Sequence, residues 1–269
     1  MIDDKKVFFL SVSLQSKVLF MCLIALAYTP GKARHLLLAA NRDEFHERPT
    51  RPMAWWQWPD GLLAGRDEQA GGTWLAVSRN GRFAAVTNIR DPKAEAGRRS
   101  RGRLPIEYFQ TDSDPESYVR RVYEQQAETG PFNLLAGDRS QLWHCSSQVS
   151  PCRIEPGVHA LSNGRLDDPW PKSRRVARAL SGLLDSPAEP DAERLFDLMN
   201  DRQPAPDEEL PDTGIGLEVE RMLSPPFIVT PSYGTRCTTL VSLGEHSRVV
   251  ERRFGADGER AGEIAYRFQ

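Results

Sequence analysis

The string Asn41-Arg42-Asp43-Glu44 holds the densest set of side chains in the sequence that are capable of chemistry. It comes directly after an apolar run, residues 36–40, that is typical of a buried strand. Cys22 stands at the start of another apolar run, Asn88 ends a third, and Asn163 follows a fourth. Each of these polar residues stands at the end of an apolar strand, and one known chemistry needs these residue types together.

These residue types are the ones that an N-terminal cysteine nucleophile needs. Its free α-amino group has a pKa of about 8, so it can take the thiol proton at neutral pH. An Arg near the thiol favours the thiolate, an Asp near the amine holds it in position, and Asn side chains donate to an oxyanion. Taken singly, each residue has an ordinary explanation in a turn, a surface ion pair or core packing. The combination is what favours catalysis.

Whether Cys22 can act in this way depends on where the mature chain begins. Met21 directly precedes Cys22, and we interpret Met21 as the initiator and residues 1–20 as a non-native or dispensable leader. A signal peptide is the alternative, because two lysines precede a short apolar stretch. Acidic residues before the lysines, an interrupted apolar stretch and the lack of a small-x-small cleavage site argue against it. If residues 1–20 stay attached, Cys22 has no free amine and the catalytic hypothesis fails.

Composition excludes several classes of partner. The formal net charge of −2 over 269 residues gives no electrostatic basis for binding nucleic acid or an anionic membrane. No apolar run approaches the ~18 residues of a membrane span, so we expect no stable membrane insertion. The four cysteines lack metal-ligand spacing, and we predict no metal, reduced thiols and a cytoplasmic location. Cys145 and Cys152 could face each other across a hairpin, but nothing requires a disulfide.

Hydrophobic periodicity and turn signals predict strands, then helices, then strands again. Strands are predicted at residues 22–28, 35–40, 62–64, 73–78, 82–87, 132–137, 141–144, 158–162, 227–229, 237–243, 248–253 and 263–268. Helices are predicted at 115–128, 172–184 and 192–201, and loops at 91–102 and 203–216. This order predicts an α+β fold in which two antiparallel sheets pack face to face and carry helices on their outer faces. Residues 21–269 are expected to form a single domain.

Several motifs occur in a fixed order along the chain. They are Met21-Cys22, Asn41-Arg42-Asp43-Glu44, Gly71-Gly72-Thr73-Trp74, Thr87-Asn88, Leu161-Ser162-Asn163-Gly164 with Asp168-Pro169-Trp170, and Gly234-Thr235-Arg236 before Thr238-Thr239. With them the chain resembles the NRDE family, also called the transport and Golgi organisation 2 family, from residue 21 to about the C-terminus. That family is similar to the choloylglycine hydrolase and penicillin V acylase branch of N-terminal nucleophile hydrolases, which implies an αββα four-layer sandwich.

The resemblance also implies roles for individual residues. The implied catalytic set is Cys22 as nucleophile, Arg42 and Asp43 as its assistants, Asn88 and Asn163 at the oxyanion, and Arg236. Expected to bind substrate are Asn41, Glu44 and Trp74, with Trp55, Trp56 and Trp58 as further candidates for an apolar pocket. The acylases space their Arg and Asp as R-x-x-D, whereas here the two are adjacent. Adjacent strand residues point to opposite faces, so both reach one site only if the strand has ended. Asn41 and Glu44 are therefore candidates for the same roles.

Two functions are compatible with these residues. The first is a cysteine N-terminal nucleophile hydrolase that acts on a small non-peptide amide or related acyl compound and needs no cofactor. The alternative is a non-catalytic protein that binds or carries haem, a lipid or an acyl ligand on the same fold, since the family is associated with Golgi organisation and haem or lipid trafficking. Haem requires an axial ligand, and the candidates are His35, His46, His144, His159, His246 and Cys22, without a CxxCH motif.

Overall fold

The computed structural model describes residues 21–95, 97–185 and 190–269, so the predicted leader, residues 1–20, lies outside the described residues. Thirteen strands are found in this part of the chain: β1 Met21–Tyr28, β2 Arg34–Phe45, β3 Thr50–Trp55, β4 Leu62–Asp67, β5 Leu75–Ser78, β6 Phe83–Asn88, β7 Phe132–Gly137, β8 Leu142–Ser146, β9 Cys152–Arg153, β10 Gly157–Leu161, β11 Tyr233–Gly244, β12 Ser247–Phe254 and β13 Arg260–Phe268. They form two antiparallel sheets, ordered β10-β1-β2-β11-β12-β13 and β3-β4-β5-β6-β7-β8-β9.

Five α-helices occur in the described residues: α1 Arg103–Phe109, α2 Pro115–Glu124, α3 Pro171–Leu184, α4 Ala192–Met199 and α5 Leu217–Met222. Helix α2 begins as the sequence predicts, because the Asp114 side chain accepts a hydrogen bond from the Ser117 N–H at 3.0 Å. Helix α3 begins with Pro171, whose fixed backbone angle suits the first helical position. Among the described residues, none of the helices is both long and apolar enough to cross a membrane.

Three apolar clusters define the layers. The largest fills the space between the sheets, with Leu38 of one sheet and Leu135 of the other among its members. A second cluster joins α3 and α4, through residues such as Leu180, to the outer face of the six-stranded sheet. A third joins α1 and α2, through Leu104 and Tyr118, to the outer face of the seven-stranded sheet. The order is helix, sheet, sheet, helix, and the predicted αββα sandwich is confirmed.

Strand β2 is longer than the sequence predicts. The apolar run predicts an end at residue 40, but the strand continues to Phe45 and contains the whole string from Asn41 to Glu44. It lies between β1 and β11 and pairs with both over most of its length. A central strand tolerates polar side chains only where buried groups form hydrogen bonds with them. Those hydrogen-bond partners cannot be predicted from the sequence.

Other elements differ from the predictions for local reasons. Helices α1 and α5 follow the two predicted loops and are not predicted from the sequence, because each is short and lacks a side-chain N-cap, which is the usual sequence signal. Strand β3 is an edge strand with Pro52 in it, so it lacks the usual strand pattern. The predicted strand at 227–229 is wrong, because only an isolated bridge between Val229 and Gly234 forms there.

All four cysteines are free. In the antiparallel pair of β8 and β9, His144 lies opposite Cys152, and Cys145 belongs to the cluster that faces the helices. Side chains alternate along a strand, so Cys145 and Cys152 point to opposite faces of the sheet. A disulfide between them would need a different register.

Candidate active site

A cavity of about 330 Å³ lies at one end of the space between the two sheets. Its walls come from the start of β1, the end of β2, the end of β6 and the loop after β6. The lining residues used below are Cys22, Arg42, Asp43, Glu44, Arg48, Asp67, Trp74, Asn88 and Arg101. The strand ends that the sequence singled out therefore do meet at one place.

Cys22 is the second residue of β1 and lies opposite Arg42 of β2 in the strand register. Ile24 and Leu26, two and four residues further on, point into the core between the sheets, so Cys22 points into the same space. Burial, together with the negative charge of Asp43, raises the pKa of the Cys22 thiol to about 12, and the positive charge of Arg42 opposes this only in part. The thiol is therefore protonated at neutral pH and needs a base when it reacts.

The four residues of the Asn-Arg-Asp-Glu string divide between the two faces of β2. Arg42 and Glu44 face the space between the sheets, and Asn41 and Asp43 face the helices. Both Arg42 and Asp43 nevertheless line the cavity. Asp43 lies opposite Met21, the first residue of β1, so the cavity curves around the start of that strand. Adjacent residues can thus reach one site although the strand has not ended.

The Arg42 side chain is held rigidly against the wall of the cavity. Its guanidinium carbon lies 4.5 Å from the centre of the Trp74 ring, and its Nη2 lies 3.3 Å from Glu44 Oε2. Arg48 extends the network, with its Nη2 2.7 Å from Asp67 Oδ2 and its Nε 3.4 Å from Glu44 Oε2. Arg42 Nη1 is buried without a hydrogen-bond partner in the described residues. It is a donor available to a ligand.

Replacing Gly65 by Ala is expected to destabilise the fold by displacing Trp74. A Cβ at Gly65 would lie 2.2 Å from Trp74 Cη2, far inside contact distance. Overpacking of this kind typically costs about 1–3 kcal/mol of unfolding free energy, measurable by urea denaturation. Gly182→Ala, in a helix with open space around it, is the matched control and should be neutral or stabilising. A Gly65→Ala protein as stable as the wild type would show that Trp74 is not fixed there.

Asp43 and Lys172 form a buried pair of opposite charges behind Cys22, and each is only 2 % exposed. Thr235 Oγ1 donates to Asp43 Oδ1 at 2.6 Å, whereas Asp43 Oδ2 and Lys172 Nζ have no hydrogen-bond partner among the described residues. Burial raises the pKa of Asp43 from 3.8 to about 6. Burial, and then the charge of Arg90, lowers the pKa of Lys172 from 10.5 to about 7. Arg90 itself pairs with Glu220.

Sequence reasoning did not identify Lys172 as a site residue. It is the second residue of α3, so its sequence position suggests only a solvated helix start. One signal was available: it directly follows the Asp168-Pro169-Trp170 motif and Pro171. The burial of Lys172 beside the site becomes apparent only when α3 is packed against β1 and β10.

Asn88 and Asn163 are connected, but only Asn88 lines the cavity. Asn163 Nδ2 donates to the main-chain oxygen of Asn88 at 2.8 Å, and Asn163 is 1 % exposed. Ser162 Oγ lies 3.4 Å from the main-chain oxygen of Cys22, and Thr87 Oγ1 donates to the Ser162 oxygen at 2.6 Å. These bonds fix the ends of β6 and β10 against the start of β1. Of the two asparagines, Asn88 is the one at the cavity wall.

Asn41 and Arg236 do not line the cavity. Asn41 Nδ2 donates to the main-chain oxygens of Met199 and Pro226, at 2.8 and 2.9 Å. Arg236 lies at a β-bulge in β11, and its Nη1 donates to the main-chain oxygen of Phe45 at 2.8 Å. Both residues hold main chain around the end of β2, so any effect on a ligand would be indirect.

Arg101 lines the cavity and was also missed by sequence reasoning. It lies in the predicted loop at residues 91–102, and its Nη1 donates to the Pro131 oxygen at 3.0 Å. Its pKa is lowered, mainly by burial and then by the charge of Arg48. Cys22 and Glu44 act on it in the opposite direction, so the positive charge is close to the thiol. Only the folded path of this loop brings it there.

The aromatic and histidine candidates mostly lie elsewhere. Trp74 lines the cavity, but Trp55 packs on Tyr266 and Phe268 between the sheets, and Trp58 is 75 % exposed. None of the five histidines lines the cavity. Within the described ranges, no group of three or more His, Cys, Asp or Glu side chains is arranged to hold a metal ion.

A comparison with protein families matches residues 21–255 of the chain to the family described as Transport and Golgi organisation 2. The chain is similar to the Transport and Golgi organization protein 2 homolog of Homo sapiens, with 32% identity over 251 residues, 85% of this chain and 91% of that protein. The homolog of Bos taurus is 32% identical over 277 residues, 93% of this chain and 99% of that protein. Transport and Golgi organization protein 2 of Drosophila melanogaster is 25% identical over 247 residues, 80% and 83% of the two chains.

Among solved structures, the chain is similar to the Caenorhabditis elegans ortholog of N-acylethanolamine-hydrolyzing acid amidase. The TM-score is 0.40 at 10% identity, over 81% of this chain and 92% of that chain.

Proposed function

The chain belongs to the Transport and Golgi organisation 2 family, and on this premise we propose that it is a cysteine N-terminal nucleophile hydrolase acting on a small non-peptide amide or related acyl compound. The observation that carries the proposal is the placement of Cys22. Its thiol lies in a cavity of about 330 Å³, beside the fixed guanidinium of Arg42 and beside the buried carboxyl of Asp43. A cavity of this size suits a small ligand.

The proposed reaction has two steps. Cys22 Sγ attacks the carbonyl carbon while its proton passes to the α-amino group of Cys22, which is free when Cys22 is the first residue. The tetrahedral intermediate collapses, the C–N bond breaks, and the departing amine takes the proton from the α-ammonium group. Water, deprotonated by the same α-amino group, then attacks the thioester and releases the carboxylic acid and the thiol.

The neighbouring residues fit these steps. Asp43 lies opposite residue 21, so its unpartnered Oδ2 is available to accept a hydrogen bond from an α-ammonium group at residue 22. Asn88, at the cavity wall, and Arg42 Nη1 are the candidate donors to the oxyanion. Arg101 adds positive charge near the thiol, which favours negative charge in the transition state.

The test uses a β-lactone, whose strained ring acylates nucleophiles of this class. Opening of the lactone forms the Sγ–C bond and breaks the ring C–O bond, and the thioester on Cys22 is measured before water releases it. We expect one equivalent of added mass on the peptide that begins with Cys22, in a chain produced with Cys22 as its first residue. The readout is intact mass followed by peptide mapping, together with release of aminomethylcoumarin from short acyl amides.

Cys22→Ala should lose both the added mass and the hydrolysis, while its unfolding transition stays unchanged. Labelling confined to Cys145, Cys152 or Cys237 would contradict the proposal. Reversible binding of an acyl ligand without labelling of Cys22 would instead support the non-catalytic ligand-binding alternative.

A further inference from the structure

Cys152, His144 and Asn133 form a hydrogen-bonded series across β9, β8 and β7 of the seven-stranded sheet, apart from the residues that line the cavity. Cys152 Sγ lies 3.9 Å from His144 Nδ1, and His144 Nε2 lies 3.1 Å from Asn133 Oδ1. A thiol, an imidazole and an amide in this order are the parts of a base-assisted cysteine nucleophile. The proposed hydrolase chemistry at Cys22 uses none of them.

The hydrogen bonds of Asn133 determine which nitrogen of His144 carries the proton. Asn133 Nδ2 lies 2.9 Å from the main-chain oxygen of Gly164, which can only accept, so this end of the amide must be the NH₂ group. Asn133 Oδ1 therefore faces His144 and accepts from Nε2–H. The neutral imidazole then has its lone pair on Nδ1, directed at the thiol of Cys152.

The two ends of this series differ in exposure. Cys152 is exposed to solvent, whereas His144 is 1 % exposed and Asn133 is fully buried. The imidazole is thus locked in one orientation, and the thiol it faces is accessible. Cys145, the next residue after His144, is buried on the other face and has no such contact.

Burial lowers the pKa of His144 to about 4, and the carboxylate of Asp167 opposes this shift only in part. Asp167 is itself paired with His159 of β10, at 2.7 Å. Burial also raises the pKa of the Cys152 thiol. A neutral base and a protonated thiol therefore coexist from about pH 5 to pH 8.

We propose that Cys152 is a second nucleophilic centre, activated by His144 and Asn133, that takes α,β-unsaturated carbonyl compounds by conjugate addition. Sγ forms a bond to the β-carbon while the thiol proton passes to His144 Nδ1. The C=C π electrons move to the α-carbon, which then takes the proton from Nδ1. The imidazole returns to its neutral state, and nothing leaves, so the thioether is stable.

The test measures the rate at which N-ethylmaleimide, a reagent of this class, adds to each cysteine, by quenched time points and peptide mapping. An unassisted thiol reacts only as thiolate, so its rate falls about tenfold per pH unit. We expect the rate at Cys152 to fall less than about tenfold between pH 8 and pH 6, against about a hundredfold for an unassisted thiol. At pH 6 Cys152 should react at least about tenfold faster than the control thiol.

The matched control is the double variant Gln148→Cys/Cys152→Ser, which places an exposed thiol on the same hairpin without an imidazole contact. His144→Gln should reduce the rate at Cys152 to that of the control thiol and restore the hundredfold pH dependence. If that variant fails to fold, the wild-type pH profile against the control thiol decides alone. Equal rates and equal pH dependence for Cys152 and the control thiol would overturn the proposal, whatever happens at Cys22.

Discussion

A chain that begins at Cys22 is expected to react with a β-lactone about 10²–10⁴-fold faster than the same chain carrying one extra glycine before Cys22. General base catalysis by a positioned group contributes a factor of this size. The extra glycine turns the α-amine into an amide, which cannot take a proton. The buried thiol, with its pKa raised to about 12, then lacks the amine as its base. Second-order rate constants for mass addition at Cys22 give the comparison.

The pH dependence of the two chains should differ in a defined direction. With a free amine, the rate should rise up to a pKa of about 8 and then level off, because the unprotonated amine is the reactive form. With the extra glycine, the rate should keep rising about tenfold per pH unit through pH 10, because only the thiolate reacts and its pKa lies higher still. Equal rates and matching pH profiles for the two chains would show that the α-amine takes no part in the reaction. Cys22 would still be the nucleophile.

Much of the fold follows from the sequence because its signals are local. The hairpin signals and the alternating apolar runs correctly place β1, β6 and β7, and the change to helical periodicity places α3 and α4. The end of β2 could not be predicted from local sequence signals. Asn41 and Asp43 look like residues that end a strand, but Thr238 and Thr235 of β11 supply buried partners that keep the strand intact.

The site residues that lie at strand ends were predictable from the sequence. Cys22, Arg42 and Asn88 each stand where an apolar strand starts or ends, and pairing of the strands brings them to one cavity. Lys172 and Arg101 are different, because their burial depends on how α3 and the loop after β6 pack against the sheets. Single-residue patterns carry no information about that packing. The same holds for His144 and Cys152, whose contact depends on the pairing of β8 with β9.

Relative to the wild type, Lys172→Met is expected to lose at least about 1.4 kcal/mol of unfolding free energy for each pH unit above pH 7. Without the charge of Lys172, Asp43 keeps its proton in the folded protein, whereas an unfolded carboxyl with a pKa of 3.8 is ionised. Each pH unit then costs about 1.4 kcal/mol. In the wild type, the lowered pKa of Lys172 acts in the opposite direction above pH 7. Urea denaturation measures it, and Lys32→Met, at an exposed turn, is the control expected within about 0.5 kcal/mol of wild type.

The double variant Asp43→Asn/Lys172→Met removes both charges and is the reference for the pair. It also isolates the pH dependence of the pair. The pKa of Asp43 is raised to about 6, so its contribution to stability is complete below pH 3.8 and is lost as the pH rises through about 6. The pKa of Lys172 is lowered to about 7, so its contribution is complete above pH 10.5 and is lost as the pH falls through about 7. The stability of the wild type relative to the double variant should therefore be lowest between pH 6 and pH 7 and rise on both sides. A difference that stays constant from pH 4 to pH 10 would show that Asp43 and Lys172 keep their ordinary pKa values in the folded protein.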